Sequence, residues 1–360
     1  MYTARGYLGA ALASDGYIYA YGGYRGTVTG AVEYYLQAYD IWYDGTAMPP
    51  NNDFGYAADQ VGRIWALGGD NLTPPYSDAR YFSPGGAWSP GTMMPYGVNY
   101  TAAATASDGR IFVIGGLDNG GAIQKRVLAF YPTNGLWDDS IAQLNHARIR
   151  HTAAAASGRI YAIGGNDGDA YKSVEVYDTY AEFPAWTVVA PLNSSRPYIP
   201  AAVSAPDGRI YVFGGDDSNT AEAYTPALNR WVNVATMNVG RTFTAGTSSP
   251  DGRIYAIGGY GGNSPLSTIE YYGPAVTLSP SSGTAGSTAS VSGTNFAASA
   301  LVRIYFDSGE VASATTDGNG VLAPTQFTIP IASPNGVHYI LVRDDKSLYP
   351  TQRSFRVGLQ

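Results

Sequence analysis

Six residues with chemistry to offer recur through the 360-residue chain at intervals of 45 to 51: Arg5, Asp53, Asn99, Arg150, Arg196 and Arg241. Guanidinium groups at equivalent points of a repeat would converge on one region. Their planar fork of N–H donors can grip a carboxylate or sulfate through two parallel hydrogen bonds. Three of the four arginines fall in consecutive repeats, so one side of such a site would be strongly positive. Asp53 and Asn99 would make the other side polar and rich in acceptors. The competing reading is that the arginine belongs to the repeat and satisfies main-chain carbonyls. Tyr7, Tyr100, Tyr198 and Phe243 stand beside these positions, and aromatics beside arginines and amides suit sugars or anionic peptides. With 30 tyrosines in the chain, that proximity alone says little.

Acid–base chemistry has few other carriers. Asp53 is the one carboxylate clearly placed as a general base. His151, next to Arg150, could serve as acid or base, although a lone histidine near a strand start is more often a solvated surface residue. Asp167-Gly168-Asp169 could ligate a hard cation such as Ca²⁺, which needs six to eight oxygens. Two acidic residues in a turn are far commoner than a calcium site, so no cofactor is expected. No Ser-His-Asp order, Gly-rich phosphate loop or metal-ligand spacing is present.

Composition narrows the classes further. Forty-five glycines, thirty tyrosines and 14% charged residues suit short strands and tight turns, not helices. A net charge of −7 and no basic run argue against a nucleic-acid partner. The absence of cysteine excludes disulfides, thiolate metal sites and cysteine nucleophiles. No apolar run approaches the roughly 20 residues of a membrane helix. Residues 1 onward show no charged-then-apolar leader, so the expectation is a cytoplasmic chain or a processed or truncated product.

The elements that must position these residues are repeats. Asp15 to Gly23, Val61 to Gly69, Asp108 to Gly116, Ser157 to Gly165, Asp207 to Gly215 and Asp251 to Gly259 each read as a turn, a mostly apolar run with aromatics, then two glycines. The Gly-Gly pairs begin at residues 22, 68, 115, 164, 214 and 258, a period of 44 to 50. Runs such as Ile254-Tyr255-Ala256-Ile257 are apolar on both faces and must be covered on both. The glycines end such a strand where the backbone must turn or another chain must approach closely. A third strand then ends in an aromatic, followed by a tryptophan: Tyr35 and Trp42, Tyr81 and Trp88, Phe130 and Trp137, Tyr177 and Trp186, Tyr224 and Trp231. Four short strands per repeat make the blade of a β-propeller. The sixth copy reaches Glu270-Tyr271-Tyr272 and has no tryptophan after it, so either its blade has three strands or the sequence is a fragment.

The Gly-Gly, aromatic and tryptophan pattern resembles the kelch repeat over residues 1–272. That resemblance implies an all-β, six-bladed kelch β-propeller whose first strands are innermost, with the six recurring residues at the channel mouth. From Gly273 the composition shifts to Ser, Thr, Gly, Ala and Val, with alternating strands of five or six residues. Ser279-Pro280-Ser281-Ser282-Gly283, Gly293-Thr294-Asn295-Phe296 and Phe355-Arg356-Val357 resemble an IPT/TIG-type immunoglobulin-like β-sandwich over residues 273–360. Such domains act as spacers on surface proteins, which implies an extracellular or cell-surface location. A kelch propeller followed by an immunoglobulin-like domain also resembles the galactose oxidase family. Its copper-radical cofactor needs a cysteine-linked tyrosine and two histidines. This chain has His146, His151 and His338 but no cysteine, so that chemistry is excluded.

Three functions follow as expectations. The first is a non-catalytic recognition or adhesion module that binds a glycan or acidic peptide at the mouth through Arg5, Asp53, Asn99, Arg150, His151, Arg196, Tyr198 and Arg241. The second is a carbohydrate-active enzyme such as an acidic-sugar mutarotase, since some six-bladed kelch proteins epimerise sialic acid. The third is self-assembly through the unpaired edge of the sixth blade or through the sandwich domain.

Overall fold

A computed structural model describes residues 1–37, 39–70, 76–166, 172–205, 208–249, 253–273, 275–294, 296, 299–318, 320–344 and 350–358. Asp167 and Asp169, the candidate cation ligands, lie outside the described residues. Two compact units are present. The first comprises Met1–Ser248 and Tyr255–Glu270, the second Ser249–Ile254 and Tyr271–Gln360.

The repeat builds antiparallel sheets from consecutive strands. Sheet 1 is Gly9–Leu12, Ile18–Tyr21, Val32–Leu36 and Ile41–Asp44. Sheet 2 is Gly55–Ala58, Ile64–Leu67, Ala79–Phe82 and Trp88–Pro90, and sheet 3 is Ala102–Thr105, Ile111–Ile114, Val127–Tyr131 and Leu136–Asp138. Sheet 4 is Thr152–Ala156, Arg159–Ile163, Val174–Asp178 and Trp186–Val188, and sheet 5 is Ala201–Ser204, Ile210–Phe213, Ala221–Thr225 and Arg230–Val234. Sheet 6 has three strands, Ala245–Ser248, Ile254–Ile257 and Ile269–Tyr272. First strands neighbour one another in closed cyclic order, sheet 6 returning to sheet 1.

The second strands explain why no single core is needed. Ile18–Tyr21, Ile64–Leu67, Ile111–Ile114, Ile210–Phe213 and Ile254–Ile257 are buried at every residue. Each is covered on both faces because adjacent sheets share an apolar slab. One slab joins sheets 3 and 4 through Phe112, Ile160 and Trp186, and another joins sheets 6 and 1 through Tyr255, Ile257, Tyr35 and Trp42. Tryptophans fasten these slabs as well as fill them. The indole N–H groups of Trp88, Trp137, Trp186 and Trp231 donate to the carbonyls of Thr46, Thr92, Ala142 and Ala190 in the preceding repeat, at 2.9–3.1 Å. In sheet 2 the ring opposite Trp88 is Phe82, not Tyr81, so the facing pair is six residues apart there and seven in sheet 1, where Tyr35 faces Trp42.

The glycine pairs are the points where one sheet meets the next. The N–H of each second glycine donates to a carbonyl of the following repeat: Gly23 to Asn51, Gly69 to Val98, Gly116 to Arg148, Gly165 to Arg196, Gly215 to Arg241 and Gly259 to Arg5, at 2.7–3.1 Å. These six bonds form a closed cycle. Both glycines have positive φ, and a Cβ on Gly116 would stand 2.7 Å from the Asn99 carbonyl, so a side chain there is excluded twice over.

The second unit holds a three-stranded sheet (Ala275–Ser279, Thr288–Thr294, Leu322–Thr328) and a five-stranded one built from Ser282–Gly283, Pro350–Val357, Gly336–Asp344, Leu301–Phe306 and Gly309–Thr315. Val291 and Phe327 from the first share an apolar core with Val302, Ile304, Ile340, Val342 and Phe355 from the second. Leu301–Phe306 alternates between buried and more exposed residues, as a strand covered on one face must.

Candidate functional site

The segment leading into each first strand contains three successive columns of residues, and the six positions picked out by spacing are spread across all three. The first column is Arg5, Asn51, Val98, Arg148, Arg196 and Arg241, whose carbonyls receive the glycine bonds. Its four arginines are fully buried. Each meets a glutamate on the third strand of its sheet: Arg5 with Glu33 at 2.7 Å, Arg148 with Glu175 at 2.7 Å, Arg196 with Glu222 at 3.1 Å, Arg241 with Glu270 at 2.6 Å. Arg148, Arg196 and Arg241 also donate to the first glycine carbonyls of their sheets, at 2.6–3.0 Å. The glutamates in turn accept two main-chain N–H groups just upstream, as Glu222 does from Asn193 and Ser194.

This corrects the expectation for Arg5, Arg196 and Arg241. Their guanidinium groups are directed into the sheets, because a buried cation needs a buried anion beside it, and they present no charge at the mouth. The equivalent arginine of the fourth repeat is Arg148, two residues ahead of Arg150. A signal for this was present in the sequence: Glu33, Glu175, Glu222 and Glu270 all stand two residues ahead of an aromatic, and repeats two and three have neither the arginine nor the glutamate at the equivalent positions. Asn99 belongs to the second column, where its main chain pairs with Leu117 beyond the glycines.

The third column forms the mouth. Tyr7, Asp53, Tyr100, Arg150, Ile199 and Phe243 all have positive φ, between 43° and 58°. Their N–H groups form a second closed cycle: Tyr7 to the Phe243 carbonyl, Asp53 to Tyr7, Tyr100 to Asp53, Arg150 to Tyr100, Ile199 to Arg150 and Phe243 to Tyr198, at 2.8–3.4 Å. The exchange of Tyr198 for Ile199 marks a one-residue shift in the fifth repeat. Holding non-glycine residues in the left-handed region costs of order 1 kcal/mol each, and such strain is tolerated where the surrounding structure imposes it.

Side chains divide this rim into two arcs. On one arc Tyr7 stacks on Phe243 with centroids 4.0 Å apart, and Tyr24, Tyr260 and Tyr198 surround them. The other arc is polar. Arg150 lies over the Tyr100 ring at 5.0 Å. Asp53 is 6% exposed and accepts from Asn52 at 2.7 Å through Oδ2. Among the described residues its Oδ1 has no hydrogen-bond partner, and neither has Arg150 Nε. Burial pushes the Asp53 carboxyl well above the usual carboxylate range, with Asp70 raising it further and Arg150 opposing. Below the rim a cavity of about 370 Å³ runs between the first strands, lined by Tyr7, Asp53, Tyr56 and His151 among many alanines.

His151 is 2% exposed, not a solvated residue. Burial, with help from Arg148, holds its imidazole neutral by lowering its pKa well below the ordinary value. The ring fills space left by Gly115 and Gly165, and among the described residues neither nitrogen makes a well-formed hydrogen bond. His146 pairs with Glu175 at 3.5 Å, and His338, in the second unit, bonds Asp307 at 2.7 Å and the Pro334 carbonyl at 2.8 Å. Among the described residues no three His, Cys, Asp or Glu side chains gather as a metal site.

Comparison with known proteins agrees with this architecture. The kelch motif matches residues 99–139, 147–193, 197–238 and 241–274. A galactose oxidase of Gibberella zeae is 34% identical over 83 residues, which is 23% of this chain and only 12% of that enzyme's length. A solved structure described as a novel fungal alcohol oxidase with catalytic diversity among the AA5 family, in complex with copper, superposes with a TM-score of 0.56 at 16% identity, covering 99% of this chain and 98% of that one. The structure of YjhT superposes with a TM-score of 0.63 at 15% identity, covering 77% and 96%. At these identities the likeness speaks for the fold alone. Together with the four-stranded antiparallel sheets, the matches support a kelch β-propeller. Copper chemistry of the oxidase kind does not fit the donor set, since the chain has no cysteine and each histidine is engaged or enclosed as described.

Proposed function

We propose that residues 1–272 form a six-bladed propeller whose mouth recognises a glycan without turning it over. The observation that carries this is a buried acceptor and a buried donor left unpaired on the same rim, Asp53 Oδ1 and Arg150 Nε, on either side of Tyr100. A sugar hydroxyl both donates and accepts, so neighbouring hydroxyls satisfy both atoms at once. Leaving such groups unpaired costs about 1–3 kcal/mol each, which a ligand would recover. The aromatic arc suits the C–H face of a pyranose. The partial likeness to a galactose oxidase fits a carbohydrate class without bringing that enzyme's chemistry. The second unit is read as an IPT/TIG-like immunoglobulin spacer, and the setting as extracellular or cell-surface.

An array of immobilised mono- and oligosaccharides tests this. Asp53→Asn and Arg150→Gln should each weaken binding about tenfold or more, while Arg80→Ala leaves it unchanged. Absence of binding by the wild type, or equal binding by all variants, removes the mouth from consideration. The raised Asp53 carboxyl also favours a second reading, in which Asp53 transfers a proton to a bound sugar. Turnover that is lost in Asp53→Asn while binding persists would establish it.

A further inference from the structure

Three residues beyond each left-handed rim residue stand Ala10, Tyr56, Ala103, Ala153, Ala202 and Gly246. All six line the cavity between the first strands. Five are small and one is a tyrosine, so the layer closes from one side only. The Gly246 main-chain N–H donates to the Tyr56 hydroxyl oxygen at 3.1 Å, which ties sheet 2 to sheet 6 past the small Ala10 of sheet 1. No packing demand of the repeat explains a tyrosine here, because the other five sheets do without one.

The hydroxyl is not exhausted by this bond. A phenol oxygen that accepts from Gly246 still carries its own O–H, and Tyr56 makes no other hydrogen bond among the described residues. Burial pushes the phenol up to about 12, so the proton is present at neutral pH. The Gly246 bond fixes the oxygen, leaving the O–H free to point into the cavity. We infer that Tyr56 is a crossbar that floors the mouth site and donates its O–H to the ligand from below. The ligand would then be the terminal sugar unit of a glycan, entering end-on with a hydroxyl or ring oxygen turned inward, and stopped at one ring's depth. The donor role rests on the glycan reading above; the crossbar does not.

The two parts are tested separately on the full chain. Amide hydrogen exchange at Gly246 needs no ligand. It should quicken about tenfold or more in Tyr56→Phe, and equal rates would overturn the crossbar. On the same saccharide array, the wild type should bind a monosaccharide and longer glycans ending in it equally. Tyr56→Phe should lose about tenfold for both, and Tyr56→Ala should shift preference toward longer ligands. Wild-type binding by Tyr56→Phe and Tyr56→Ala, with binding lost in Asp53→Asn, would overturn the donor role and leave the glycan reading standing. No binding by any variant, the wild type included, would overturn both. Unchanged melting of Tyr56→Phe confirms that a loss is local.

Discussion

Sheets 1, 4, 5 and 6 carry the buried arginine–glutamate pair, and sheets 2 and 3 do not. Asn51 and Val98 stand where the other sheets have arginine, and Arg80 and Leu128 where they have glutamate. Asn51 still donates to the Gly68 carbonyl at 2.9 Å, reproducing one arginine bond. Leu128 and Val98 are fully buried apolar residues. Sheet 3 thereby shows that an apolar pair can fill the same space, as expected when a buried ion pair gains little over hydrophobic packing. The loops concerned also differ. Pro49, Pro50 and Pro95 lie there, and proline has no N–H for a glutamate to accept. Of the polar residues of the rim and its crossbar, Asp53, Tyr56 and Tyr100 come from these two repeats and Arg150 from the fourth. Where the repeat departs from its own scaffold it supplies Asp53 and Tyr56, while Arg150, the other rim residue with unmet hydrogen-bonding capacity, comes from a repeat that keeps the pair.

Several substitutions would break or sharpen that contrast. Glu175→Gln should destabilise by about 3–5 kcal/mol in denaturant unfolding, because it strands a buried Arg148 cation. Adding Arg148→Val, with leucine in place of Glu175 to copy sheet 3, should recover part of the loss. Recovery stays incomplete because the Asn145 and His146 N–H groups lose their acceptor. A mild effect of Glu175→Gln would mean that the pair is dispensable where it occurs. Gly116→Ala should cost more than about 1 kcal/mol, whereas Gly26→Ala, also at positive φ but with nothing within 4 Å, should cost less. Equal losses would assign the whole effect to φ and none to the close approach of neighbouring sheets.

Asp53→Asn should do the opposite and stabilise at pH 7, by about 1–3 kcal/mol. The sign follows from the raised folded pKa: such a carboxyl favours the fold below its unfolded pKa, and that advantage is lost as pH rises toward the folded value. Thermal melts from pH 3 to 8 should therefore show less decline in the variant than in the wild type. The smallest effect belongs to the second unit. Asp307 and the Pro334 carbonyl hydrogen-bond the His338 ring and raise its pKa above 6.5. Its contribution is full below 6.5 and lost as pH rises through the raised value. His338→Gln should cost below about 1 kcal/mol at pH 6 and nothing at pH 8.5.

Much of the architecture was legible in the chain. The apolar runs ahead of Gly-Gly, the tight glycine approach and the aromatic–tryptophan strands follow from patterns with a fixed period, and side-chain periodicity reports burial directly. The second unit's strands announced themselves by alternation in the same way. The site was legible only in part. Asp53, Arg150 and Tyr198 are at the rim, but Arg5, Arg196 and Arg241 are inside the sheets, and Tyr56 gave no sign of itself among thirty tyrosines.

Local sequence therefore determined which segments become strands and where glycine is obligatory, since those depend on each residue's own shape and polarity. Tertiary structure decided the register between repeats. Loops of unequal length blur counting by one or two residues, as between Arg148 and Arg150 or Tyr198 and Ile199. A slip of two residues changes a buried, glutamate-paired arginine into one that lies over Tyr100 at the mouth, because the two cycles of main-chain hydrogen bonds hold those columns at different depths. Only closure of the ring, sheet 6 on sheet 1, places the columns and lets Tyr56 reach Gly246.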